Sequence, residues 1–65
     1  MSQSWAPTEI AHIVTVLRDE FRGTPEPILY AVVNKAALDL PAAEGRSALL
    51  VRSRDRLRVV LTPAK

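Results

Sequence analysis

The sequence predicts an α+β domain of two helices followed by a C-terminal β-hairpin, ααββ in order, with the hairpin packed on the helices. Three observations predict it: an apolar stripe of helical period, a proline-led start to a second helix, and strand-like alternation near the end of the chain. The alternation decides the class. Leu57, Val59 and Leu61 interleave with Arg56, Arg58 and Val60, which is the two-residue period of a strand with one face buried. Read as a helix, the stretch Arg52 to Arg56 puts no apolar residue between Val51 and Leu57, and the core stripe would break for more than a turn.

The first element is expected over residues 8–22, after a lead-in at 1–6 whose Trp5 folds back on the first helix or the core rim. Pro7 and Thr8 suit a helix start, Glu9 sits favourably in the first turn and Gly23 supplies the stop. Ile10, Ile13, Val14, Leu17 and Phe21 form one apolar stripe, with His12 on the solvated side. The second helix is expected over 25–39. Pro25 and Pro27 both fall in the turn whose amides lack internal partners, and Pro41 disfavours helical backbone at Leu40. Its apolar surface, Ile28, Leu29, Val32, Val33, Ala36, Ala37 and Leu40, is wider than one neighbour needs. Pro41 to Ser47 reads as a turn or one short helical turn, with Gly45 as its permissive residue.

The hairpin is expected at 48–53 and 57–62. A loop of Arg54, Asp55 and Arg56 sets Leu49 against Leu61 and Val51 against Val59 on the inner side, leaving Leu50 and Val60 outside. A two-residue loop would instead carry Arg52 to the core. The tip lacks the glycine that such loops favour.

Length and composition bound the rest. Sixty-five residues make a single domain, 1–65, and a core of that size supplies only about 3–5 kcal/mol. The chain has no cysteine and one histidine, which excludes disulfides, thiolate chemistry and a structural zinc site. Stability must come from packing or self-association. No cofactor or metal is expected, nor an enzyme, because the only glycines are Gly23 and Gly45 and no nucleophile, base and orienting group fall into a recognisable spacing. No leader or membrane span is expected, and alanine-rich, arginine-over-lysine usage with no cysteine suggests a bacterial, cytoplasmic protein.

Charge is uneven. Residues 1–41 carry three basic against five acidic side chains, a balance of −2, whereas residues 42–65 carry six against two, a balance of +4. Two functions follow as expectations. The first is a non-catalytic protein-interaction or dimerisation module, a regulator or adaptor, joining a second copy or another protein through Leu50, Val60, Val33 and Ala37, with the hairpins merged into a four-stranded sheet. The second is nucleic-acid or anion contact through Arg46, Arg52, Arg54, Arg56 and Arg58. In topology this basic ribbon resembles the wing of winged-helix DNA-binding domains, although the candidate recognition helix carries Glu26, Asn34, Lys35 and Asp39 and no basic stripe. The opposing expectation is that the arginines form a solvated face and pair with acidic residues such as Asp19, Glu20, Glu44 or Asp55. Were residues 48–62 one continuous helix, the sheet-joined dimer and the wing would fall together.

Overall fold

The computed structural model describes residues 5–61 and contains three α-helices: α1 (Pro7–Glu20), α2 (Glu26–Leu38) and α3 (Arg46–Leu61), the last preceded by a 3-10 turn at Ala42–Glu44. There is no strand among the described residues, so the fold is all-α and the α+β expectation is overturned. With the hairpin go the four-stranded sheet that was to join two copies and the wing-like ribbon that was to enter a groove.

The first two helices form for the reasons their sequences give. In α1, Ile10, Ile13, Val14 and Leu17 recur at helical spacing and are all buried. The chain turns at Phe21, whose amide donates to the Leu17 carbonyl at 2.7 Å, and leaves through Gly23 at φ +94°, a conformation that favours glycine. The helix ends at Glu20, two residues before the expected boundary. Helix α2 starts at Glu26 with Pro25 as the flanking residue and Pro27 inside the first turn, where neither proline removes a helical hydrogen bond. Leu29, Val32, Val33 and Ala36 are buried along it. The width of that surface is explained within one molecule, because α2 packs against both α1 and α3.

Helix α3 is where the two-residue period misled. Leu49, Ser53 and Leu57 stand at i, i+4 and i+8, and all three are fully buried. The core stripe that looked interrupted is continuous; its middle position is a serine. Ser53 is small enough to sit at the helix contact, but its Oγ has no hydrogen-bond partner. Arg54 and Arg56 flank the stripe half-buried, their stems against the body and their guanidinium groups reaching acidic residues. Local preference points the same way, since arginine, leucine and alanine are good helix formers and the supposed hairpin tip holds no glycine, proline or asparagine.

Gly45, at φ +92°, turns the chain from the 3-10 segment into α3, and its carbonyl accepts from the Leu49 amide at 3.3 Å. Trp5 closes the other end. It lies half-buried against the core, and its indole Nε1 donates to the Leu40 carbonyl at 2.8 Å, tying the segment before α1 to the end of α2. Of the lead-in expected at 1–6, residues 1–4 lie outside the described residues, as do those from Thr62 onward.

Candidate functional site

The outward-facing chemistry of this protein is concentrated on α3, and the helix places its arginines by periodicity rather than by alternation. Arg46, in the first turn of α3, brings Nε within 2.9 Å of Glu9 Oε1, a charge contact without hydrogen-bond alignment. Two turns on, Arg54 grips Glu20 with both prongs, Nε donating to Oε1 at 2.9 Å and Nη2 to Oε2 at 2.8 Å. Since residue 46 meets residue 9 and residue 54 meets residue 20, α3 runs in the same direction as α1. Arg56 Nη2 donates to Asp39 Oδ2 at 3.1 Å, at the end of α2. Arg58 contributes a further positive field at Glu20, and Arg52 is exposed.

Of the five candidate anion contacts, Arg46, Arg54 and Arg56 therefore bind the protein's own carboxylates, and Arg58 is engaged as well. These pairs link α3 to α1 and α2, which matters in a helix whose buried side is only three residues long. The Arg54 hydrogen bonds hold the Glu20 carboxyl below its usual value of 4.5; desolvation opposes them, and the Arg54 and Arg58 charges add to the lowering. A carboxyl lowered in the folded state gives stability that is present above its unfolded value and is lost as pH falls through the folded one. The thermal midpoint should thus decline as pH drops below about 4.5, and Glu20→Gln should flatten that part of the decline. An identical acid limb in the variant would show that the pair does not couple to folding.

The residues expected to join copies are divided by the structure. Val33 is fully buried in the core, and Leu50 and Ala37 are half-buried against it, so none of the three offers an open apolar face. Val60 does, at 56% exposure. Sequence reasoning missed its companions on α3, namely Val51 at 52%, Val59 at 75% and Leu61 at 44%. A helical projection centred on Leu49, Ser53 and Leu57 finds them: Val51, Asp55 and Val59 fall on the opposite side at i, i+4 and i+8. Val60 and Leu61 instead continue the inward side, three and four residues after Leu57, beyond the part that the described residues cover. On the outer side, Arg52, Asp55, Arg56 and Val59 line a shallow hollow of about 300 Å³.

Comparison with protein-family models, curated proteins and solved structures finds no match to this chain.

The remaining chemistry is sparse. His12, Glu44 and Ser47 border another surface hollow, of about 520 Å³, but no hydrogen bond joins them. A serine nucleophile needs its base in hydrogen-bond reach and that base held by a third group. Among the described residues there is no cluster of three or more metal-ligating side chains and no helix long and apolar enough to cross a membrane.

Proposed function

We propose that this protein is a non-catalytic interaction module that associates with a second copy of itself through the exposed apolar residues of α3. The observation that carries the proposal is the set Val51, Val59, Val60 and Leu61, each at least 44% exposed on a single helix. Single exposed apolar residues are ordinary, but four lie on one helix of a 65-residue chain, Val51 and Val59 on its outer side and Val60 and Leu61 at the end of its inward side, and exposed apolar surface of this kind marks contact surfaces. The domain also gains from association, because its core is small and bound copies stabilise the folded form by mass action.

Sedimentation velocity across about 1 to about 100 µM tests this, the range in which an interface of modest area reaches half-saturation. A sedimentation coefficient that rises with concentration, and returns to the monomer value in Val59→Glu and Val60→Glu, is expected. A constant monomer value over the range would defeat the proposal.

Nucleic-acid binding is the alternative, and the internal pairing of Arg46, Arg54 and Arg56 counts against it. Phosphate contact depends on cations able to release counterions, so a random duplex should give no salt-sensitive shift even at low ionic strength. A shift that weakens steeply with salt and is lost on Arg52→Glu would favour the alternative instead.

A further inference from the structure

We draw no further inference here: the strongest candidate, the shallow hollow of about 300 Å³ that Arg52, Asp55, Arg56 and Val59 line on the outer face of α3, belongs to the surface already described, and nothing in the structure shows what covers it.

Discussion

Leu57→Ala should unfold most of the protein at room temperature. Helix α3 buries only Leu49, Ser53 and Leu57, so Leu57 is one of two large apolar anchors that hold it to the body. Truncating a fully buried leucine costs about 2–5 kcal/mol in lost transfer energy and residual cavity, and a core of this size supplies only about 3–5 kcal/mol. The two magnitudes are equal within their ranges, so little folded protein should remain. Loss of most helical circular dichroism in buffer, or a urea midpoint near zero, is the expected result. Val59→Ala on the exposed face is the control and should shift stability by less than about 0.5 kcal/mol. Equal effects from the two substitutions would mean that α3 does not pack on the side described here.

Ser53→Ala should move stability the other way. The Ser53 hydroxyl is buried without a partner, and leaving such a group unsatisfied costs about 1–3 kcal/mol. Alanine removes that penalty, occupies nearly the same volume and has the higher helix preference, by a few tenths of a kcal/mol at most. A rise in the thermal midpoint of about 4–8 °C for each kcal/mol gained is expected in a domain of this length. A fall in the midpoint would show that the hydroxyl has a partner worth more than the desolvation it avoids. At this fully buried position between Leu49 and Leu57 a leucine would add volume, and overpacking costs about 1–3 kcal/mol.

The same serine accounts for what sequence reasoning missed. Helices α1 and α2 were legible because each carries independent, agreeing signals: a full apolar stripe, prolines confined to the first turn, and Gly23 or Pro41 just past the end. Residues 46–61 carry weaker and conflicting ones. Leu57 to Leu61 alternates with Arg56, Arg58 and Val60 by coincidence over five residues, and Ser53 conceals the helical stripe by filling a core position with a polar side chain. The candidate arginines were found, and Glu20, which receives Arg54, was among the acidic partners expected for them, but Glu9 and Asp39, the partners of Arg46 and Arg56, were not, because both lie far away in sequence. Of the expected self-association residues, Val60 is open, whereas Val33 is buried because α2 serves two neighbours instead of one.

Local order along the chain, taken alone, determined the first two helices, their boundaries to within about two residues, and the break at Gly45, since capping, proline placement and apolar period all act within a few residues. Only packing decided the third. Residues 46–61 become a helix because α1 and α2 present one groove that accepts Leu49, Ser53 and Leu57 in a row and three carboxylates that receive the flanking arginines. No window of the sequence contains both halves of that fit, so the character of α3, and with it the exposed valine face, is a property of the assembled molecule.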